Sequence, residues 1–389
     1  MVNNFFCNIN VTNEQRTILE GPSNVIVSGA AGTGKTMLAI LLAQKLAPEN
    51  KVGVIIYTKA LREFIREAID NKNVEVFNAT WDDYLEQDYD YLIVDEVQDF
   101  TLDAIKNILR HKGKGVYFFG DDSQQIYDWH ERKATIDEIG KETGFPLITL
   151  TQNMRLSAPI GRFLRNILPA FTLGQSILNQ SDILPDVEHF ESMEEEQEYI
   201  ATLASHKMGG TIAVILSSNE KVMNYYRYFQ KHIKNKPVGY KNNGANNLIF
   251  NKEESVNVLT YHSAKGLEFD HVIIPDGGYH DSEGKCMYVG CTRSRYSLVL
   301  TDNGNGCYVT ETPSALYNGE SHKKYMRSFE IREELHQVEL ELIRKKTFYE
   351  IYSTDAMLIK ECEKLTEQIA GLEEKKVALD NEYAQVATK

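Results

Sequence analysis

The stretch GAAGTGKT, Gly29 to Thr36, constrains the fold more than any other part of the chain. It matches the phosphate-loop pattern, with the apolar run NVIVSG leading into it and the helix-like stretch TMLAILLAQKLA following it. The glycines of such a loop let backbone N–H groups point at phosphate oxygens, and the start of the following helix adds a positive field. We therefore expect a nucleotide to bind the loop residues, which are Gly29, Ala30, Ala31, Gly32, Thr33, Gly34, Lys35 and Thr36.

An acidic motif supplies the second half of this chemistry. In VDEVQD, residues 94–99, the apolar run YLIV delivers Asp95 and Glu96 to the carboxyl edge of a sheet, where ligands bind in such folds. Lys35 is expected to reach the β- and γ-phosphates, and Thr36 and Asp95 to hold Mg²⁺. Glu96 is placed to accept a proton from an attacking water. The pattern predicts hydrolysis of a nucleotide with Mg²⁺ as cofactor.

Short apolar runs alternate with helix-like stretches along most of the chain, which favours parallel sheets covered on both faces. The predicted strands of the first set are 24–29, 51–57, 91–96, 115–121 and 146–151, and those of the second are 210–217, 256–262, 270–275 and 296–301. The fold class is therefore α/β with two units, predicted at residues 1–148 and 149–310.

The C-terminal part, residues 328–389, has a different pattern. Leucines recur every seven residues and a second seam position lies between them; the two sets are Leu358, Leu365, Leu372 and Leu379, and Cys362, Ile369, Lys376 and Tyr383. This spacing predicts an α-helical, coiled-coil-like tail, with a break at Ser353–Asp355 that separates two helices. Two interpretations stay open: a helical hairpin folded on the body, or an interface for self-association or for a protein partner.

Composition limits the classes of protein to which the chain can belong. The net charge of −14 argues against a broad basic surface, so any contact with nucleic acid has to be local. The five cysteines form no CxxC pair, which fits a reducing cytosol and gives no sign of a disulfide framework or a zinc site. We see no signal peptide and no apolar run near the ~18 residues of a membrane helix, so a cytoplasmic protein without membrane contact is expected.

Seven segments together resemble superfamily 1 helicases of the UvrD/Rep type. DEVQD, residues 95–99, resembles the DExxQD box of that family, and the other segments follow in the family's order. They are NEQRTIL (13–19), YTKAL (57–61), GDDSQQIYDW (120–129), QNMRLSAPI (152–160), LTYHSAKGLEFDHV (259–272) and YVGCTRSR (288–295). The resemblance spans residues 13 to about 301. It implies two RecA-like P-loop domains with an ATP site between them, and an ATP-dependent translocase or DNA helicase stimulated by single-stranded nucleic acid.

The resemblance also implies roles around ATP for residues outside the phosphate loop. Gln15 is implied to read the adenine, and Gln124 to sense the γ-phosphate. Arg155 and Arg293 fall where the family has its γ-phosphate arginines, supplied by the second unit. Glu268 is implied to bind the ribose. An arginine supplied across a cleft stabilises the charge of the transition state and makes hydrolysis depend on closure.

Contacts with a single strand are implied for residues of three motifs: Thr58, Lys59, Tyr127, Trp129, Thr260 and His262. Trp129 would stack on a base, which is worth ~1–3 kcal/mol and is indifferent to sequence. Tyr127 and Trp129 also suit a core position, and that alternative stays open. Backbone contacts and stacking serve DNA and RNA alike, so single-stranded DNA is the expected partner and RNA remains an alternative.

Two departures from the family pattern qualify these expectations. Met37 and Met154 stand where UvrD-type chains have an arginine and an aromatic residue that sandwich adenine. The large accessory insertions of full helicases are also missing, because only about thirty residues separate motif Ia from the acidic box and only a short polar segment precedes motif V. We therefore expect translocation or an ATP-driven switch more readily than unwinding. The alternatives are a motor subunit of a multi-protein DNA repair or anti-phage defence complex, and an RNA-directed helicase.

Overall fold

The structure is a computed structural model, and it describes the chain in two compact units, Met1–Asn318 and Gly319–Lys389. The described residues are 11–387, except 57–61, 63–64, 67–68, 70, 79–86, 128–131, 175, 180, 207, 243–244, 250–253, 279–283, 304–313, 320 and 354–358. Among the predicted residues, Thr58, Lys59, Trp129, Leu358 and all of the predicted break except Ser353 lie outside them.

A parallel sheet forms the N-terminal part of the first unit. Its elements are α1 (Asn13–Glu20), β1 (Val25–Gly29), α2 (Lys35–Leu46), β2 (Val52–Ile56), β3 (Val74–Asn78), β4 (Tyr89–Val94), α3 (Leu102–Arg110), β5 (Lys112–Gly120), α4 (Ile136–Thr143) and β6 (Leu147–Leu150). Within the described residues the sheet has six strands in the order β3-β2-β4-β5-β1-β6. Ile26 packs into one apolar cluster while Val25 and Val27 pack into another, so both faces of β1 are covered.

A larger sheet follows in the same unit. Its surrounding elements, in chain order, are β7 (Gln152–Ser157), α5 (Ala158–Ile167), β8 (Ser176–Asn179), β9 (Asp186–His189), α6 (Met193–His206), β10 (Thr211–Leu216), α7 (Asn219–His232), β11 (Val238–Asn242), β12 (Ala245–Asn246), β13 (Ser255–Thr260), α8 (Tyr261–Ala264), β14 (Phe269–Ile274), α9 (Lys285–Cys291), β15 (Ser294–Asp302) and β16 (Asn318–Gly319). Among the described residues this sheet has eight strands in the order β12-β11-β13-β10-β14-β15-β9-β16, while β7 and β8 pair separately.

Every strand predicted from an apolar run is confirmed, and the α/β class with parallel sheets is confirmed with it. The missed strands include β7 and β9, whose sequences QNMRLS and DVEH carry polar residues in place of an apolar run. The polar segment KNNGANN, residues 241–247, contains no apolar run, yet β11 and β12 pair there as antiparallel strands. Strand β6 pairs with β1 through Leu150, so the first sheet continues two residues past the predicted division at 148.

One residue, Thr151, separates β6 of the first sheet from β7. Its backbone N–H donates to Glu14 Oε2 at 2.9 Å, and its hydroxyl donates to Glu14 Oε1 at 2.5 Å. Both hydrogen bonds tie the connection to helix α1, next to Gln15.

The second unit contains two long helices, α10 (Ser321–Tyr352) and α11 (Ile359–Ala387). Ion pairs Lys346–Glu373 and Lys376–Glu339, at 2.6 and 2.7 Å, show that the helices are antiparallel. Between them lies an apolar cluster of Ile331, Val338, Leu342 and Leu379, with Leu335, Ile369, Leu372 and Tyr383 packed against it. Four residues of the predicted seam, Ile369, Leu372, Leu379 and Tyr383, therefore pack against the first helix of the same chain. None of the described helices is long and apolar enough to cross a bilayer.

Candidate functional site

The phosphate loop has the backbone that its glycines predict. Gly32 and Gly34 have φ values of +88° and +87°, a conformation that glycine adopts without steric cost. Lys35 is 7% exposed, and its ammonium donates to Gly29 O at 2.6 Å and to Ala30 O at 3.2 Å. The loop thus wraps around its own lysine at the end of β1.

The lysine is surrounded by carboxylates. Burial lowers the pKa of Lys35, and the charges of Asp121, Glu96 and Asp95 oppose that shift. Three acidic groups on the carboxyl side of the first sheet therefore help to keep this buried ammonium protonated.

Thr36 and Asp95, the two residues predicted to hold Mg²⁺, are in direct contact. The Thr36 hydroxyl donates to Asp95 Oδ2 at 2.6 Å. Burial and the neighbouring charge of Glu96 raise the pKa of Asp95. A hydroxyl and a carboxylate are hard oxygen donors, and Mg²⁺ in nucleotide sites typically takes one or two carboxylates plus substrate phosphates and water. The pair therefore fits Mg²⁺, although no group of three His, Cys, Asp or Glu among the described residues forms a metal site by itself.

Glu96 has an unusual backbone conformation. Its φ of 54° lies in the left-handed region, which is uncommon for a residue with a side chain and often marks a functional position. The side chain is buried, and Gln98 Nε2 donates to Glu96 Oε2 at 2.5 Å. Burial raises the pKa of Glu96, but the charges of Lys265 and Lys35 outweigh it and hold the pKa below its ordinary value.

Arg293 crosses from the second sheet to the first. Its Nη2 donates to Gln124 Oε1 at 2.8 Å, and Gln124 Nε2 donates to Asp121 Oδ2 at 2.8 Å. The guanidinium is 2% exposed, and burial together with the charge of Arg155 lowers the pKa of Arg293 to about 10. The guanidinium therefore stays charged at neutral pH while buried between the sheets.

Arg155 and Glu268 form an ion pair. Arg155 Nε donates to Glu268 Oε2 at 3.0 Å, and Arg155 Nη1 donates to Thr292 O at 3.0 Å. Burial raises the pKa of Glu268, but the charges of Arg155, Arg295 and Arg293 outweigh it and lower the pKa overall. Two residues predicted to hold different parts of ATP are thus in direct contact.

Gln15, Met37 and Met154 converge beside Gly34. A methyl group added at Gly34 would lie 2.8 Å from Gln15 Nε2, 2.8 Å from Met154 Cε and 3.4 Å from Met37 Cε. Gln15 Nε2 donates to Thr33 O at 3.1 Å and lies 3.9 Å from Met154 Sδ. The three side chains predicted around the base are therefore together at the start of helix α2.

The residues predicted to contact nucleic acid are brought together only in part. The Tyr127 hydroxyl donates to His262 O at 2.7 Å, and the two rings lie 5.4 Å apart. Tyr127 is half-buried against the apolar core of the second sheet. The Thr260 hydroxyl caps helix α8 by accepting from Ser263 N at 3.2 Å.

Lys265 makes a contact that the sequence did not reveal. Its ammonium donates to Asp99 Oδ1 at 2.7 Å and to Asp99 Oδ2 at 2.6 Å, and lies 3.9 Å from Glu96 Oε2. Both side chains of the Lys265–Asp99 pair are 0% exposed. Burial raises the pKa of Asp99, while the two hydrogen bonds from Lys265 favour its charged form. Asn153 and Tyr288, which contact Ala31 of the phosphate loop, were not predicted from the sequence either. Their signal was that each lies within a motif, near Arg155 and Arg293.

The amino-acid sequence matches one known protein family over most of its length. Residues 22–278, more than half of the chain, match the family described as Schlafen group 3, DNA/RNA helicase domain. The chain belongs to this family. It is also 24% identical over 352 residues to a protein of Acanthamoeba polyphaga mimivirus that carries the provisional name ATP-dependent DNA helicase. That match covers 76% of this chain and 49% of the viral protein, so the chain spans about half the length of this relative.

Solved helicase structures resemble the chain more distantly. The C-terminal domain of a possible DNA helicase from Lactobacillus plantarum is 21% identical, with a TM-score of 0.35, and the match covers 43% of this chain and 98% of that domain. Arterivirus nonstructural protein 10, a helicase in complex with DNA, is 14% identical with a TM-score of 0.40, covering 78% of this chain and 65% of the viral protein.

Proposed function

We propose that this helicase-family protein is an ATP-dependent translocase or DNA helicase of superfamily 1, of the UvrD/Rep type, stimulated by single-stranded nucleic acid. In this proposal the two sheets of the first unit belong to two RecA-like domains, and ATP is hydrolysed between them. The seven motifs in family order support the superfamily, and the match to a DNA/RNA helicase domain supports the class.

The hydrogen bond between Arg293 and Gln124 is the observation that carries the proposal. It joins a motif of the second sheet to a motif of the first, and the Gln124 amide in turn bonds Asp121. Arg293 is buried, so this contact exists only while the two sheets are packed together. An arginine held in this way makes hydrolysis depend on closure of the cleft.

Each remaining group has a proposed task around ATP. Lys35 neutralises charge on the β- and γ-phosphates, and the charged Glu96 accepts a proton from the attacking water. Thr36 and Asp95 hold Mg²⁺, which when bound neutralises charge on the phosphate oxygens. Arg155 exchanges its bond to Glu268 for the γ-phosphate as the nucleotide binds, which frees Glu268 for the ribose.

The base is proposed to lie between Met37 and Met154, beside Gln15. Both thioethers are half-buried, and soft, polarizable sulfur makes favourable contacts with aromatic rings. The Gln15 amide supplies the polar contact to adenine in this proposal.

The nucleic-acid track is proposed to use Thr58, Lys59, Trp129, Thr260 and His262, with Tyr127 transmitting changes at Gln124 to the strand. Tyr127 supports this relay, since it follows Gln124 by three residues and its hydroxyl bonds the backbone of His262. Single-stranded DNA is the proposed partner, and RNA is the alternative track.

Steady-state ATP hydrolysis by the full chain tests this proposal. It should be measured at a stated low salt alone, with single-stranded DNA, with single-stranded RNA and with duplex DNA. We expect single-stranded nucleic acid to stimulate ATP hydrolysis. Whichever of single-stranded DNA and single-stranded RNA stimulates it more is the nucleic acid on which the protein acts. Lys35→Ala should abolish hydrolysis, and Trp129→Ala should reduce stimulation while ATP binding is retained.

Arg293 and Arg295 provide a matched pair of variants. Arg293→Gln should lower the stimulated rate by about 10³-fold or more, in line with arginines that complete phosphoryl-transfer sites. Arg295 is 42% exposed and lies near Asp270, so Arg295→Gln should retain activity. Equal activity of the two variants would contradict the proposed role of Arg293.

A second candidate function is an ATP-driven switch within a multi-protein DNA repair or anti-phage defence complex. The antiparallel helices of the second unit favour it, because Leu340, Ile343 and Val377 expose 49%, 64% and 59% of their surfaces there. ATP hydrolysis that no nucleic acid stimulates would support this function over the first.

A further inference from the structure

Both backbone polar groups of Ala31, in the phosphate loop, are hydrogen-bonded by side chains that follow the first sheet in the chain. Its N–H donates to the Tyr288 hydroxyl at 3.2 Å, and its carbonyl accepts from Asn153 Nδ2 at 2.7 Å. Tyr288 and Asn153 are both 0% exposed. The turn that carries Lys35 is therefore held by two buried side chains from outside its own sheet.

The same two side chains also bond the segment that follows helix α5. The Tyr288 hydroxyl donates to Thr172 O at 3.1 Å, and Asn153 Nδ2 donates to Leu173 O at 2.9 Å. Two consecutive carbonyls are thus linked to one phosphate-loop residue, each through a single bridging side chain.

The direction of these hydrogen bonds is fixed by their partners. A tyrosine hydroxyl has one proton, and since Tyr288 gives it to Thr172 O, the oxygen can accept from Ala31 N. Burial raises the pKa of Tyr288 far above its ordinary value, so the proton is retained at neutral pH. The ring is stacked on Phe171, with centroids 4.7 Å apart and planes 13° apart.

Asn153 is oriented just as firmly. Its Oδ1 accepts from the backbone N–H groups of Arg155 and Leu156, both at 3.1 Å, while its Nδ2 donates to two carbonyls. Flipping the amide would set its NH2 group against two N–H donors and its oxygen against two carbonyl acceptors. One side chain therefore fixes the backbone of Arg155 and the carbonyl of Ala31 at the same time.

We propose that Tyr288 and Asn153 are positioning residues for ATP hydrolysis, acting through the Ala31 peptide. Together they fix the position of the phosphate loop relative to Arg155, so that Lys35 and Arg155 reach the same phosphate. This rests on the proposed ATPase function. Without the Tyr288 hydroxyl, Ala31 N–H and Thr172 O lose their common partner, and the loop is free to shift relative to Arg155.

Tyr288→Phe isolates the hydroxyl because it keeps the buried ring and its stacking on Phe171. Small misplacements of reacting groups cost about 10- to 100-fold in rate. We expect Tyr288→Phe to lower kcat by that factor and to change KM for ATP less than about 3-fold, because the binding groups of the loop remain. Tyr225→Phe is the matched control, since it also removes a buried tyrosine hydroxyl, one that bonds Glu196 away from the phosphate loop.

A second measurement is the rate of amide hydrogen exchange in the phosphate loop of the nucleotide-free protein, which tests the positioning role independently of ATP hydrolysis. We expect faster exchange in Tyr288→Phe than in wild type and no change in Tyr225→Phe. An unchanged kcat, an equal loss in the control, or unchanged exchange would each overturn the positioning role. If wild type hydrolyses no ATP, the proposed function fails, and the exchange measurement still decides whether Tyr288 holds the loop.

Discussion

The buried ion pair between Lys265 and Asp99 makes a quantitative prediction. Lys265→Met removes the cation and leaves the Asp99 carboxylate, which is 0% exposed, without a charged partner. Breaking a buried pair from one side costs about 3–5 kcal/mol. We therefore expect the free energy of unfolding of the first unit to fall by that amount.

Replacing both Lys265 and Asp99 distinguishes the free-energy cost of an unpaired buried charge from a simple loss of packing. Lys265→Met with Asp99→Leu removes both charges, and such replacements are often neutral or stabilising. The double variant should therefore regain most of the stability lost in the single variant. Part of the loss should remain, because Glu96 lies 3.9 Å from the same ammonium.

Equilibrium unfolding in urea, followed by circular dichroism and by a second probe, measures these differences. Lys141→Met is the control, since Lys141 and Asp137 are 75% and 72% exposed and their pair should contribute nothing measurable. A Lys265→Met variant within about 1 kcal/mol of wild type, below the usual range for a buried pair, would refute the argument. A double variant as unstable as the single one would refute it as well.

Three further predictions concern other parts of the chain. Met154→Tyr should lower KM for ATP about 2- to 10-fold, because stacking on an aromatic ring adds ~0.5–1.5 kcal/mol, and an unchanged KM would contradict a base beside Met154. Burial, and to a lesser degree Lys236, lowers the pKa of His271 against the opposing charge of Asp270. Stability should therefore fall as pH drops below about 6.5, where the unfolded state takes up the proton first, and urea midpoints at pH 7 and 5.5 should differ less in His271→Asn. Leu379→Ala should destabilise the helix pair by about 2–5 kcal/mol, whereas Val377→Ala, 59% exposed on the same helix, should leave its thermal unfolding unchanged.

The parallel strands could be predicted because both of their faces are buried, which leaves continuous apolar runs such as VIVSG in β1. The phosphate loop could be predicted because its geometry is local to eight residues. Strand β7 could not be predicted, because its sequence QNMRLS shows no apolar pattern. Its polar side chains instead contact the phosphate loop and Glu268.

Contacts across the site could not be predicted from spacing. Lys265 and Asp99 are 166 residues apart, and Tyr288 and Ala31 are 257 apart, so both pairs depend on how the sheets pack. No local pattern encodes such a distance.

The acidic stretch 191–199 shows the same limit. Its run of glutamates is typical of a solvated helix start, and helix α6 does begin at Met193. Glu196, however, is 0% exposed and accepts hydrogen bonds from Asp276 N and Thr301 Oγ1. Its position four residues before the buried Ile200 places it on the inward face of the helix, which the run of glutamates conceals.

Only Thr151 connects β6 to β7, so a rotation about this residue would move nearby and distant parts of the following chain by different amounts. Arg155 stands four residues beyond that point, about 13 Å of extended strand at most. Displacement in a rotation grows with distance from the pivot. A rotation about Thr151 therefore moves Arg155 slightly and the far end of the second sheet much more. In the proposed ATPase, a rotation about this connection would turn a small shift of Arg155 at the phosphate into a larger displacement of the far end of the second sheet.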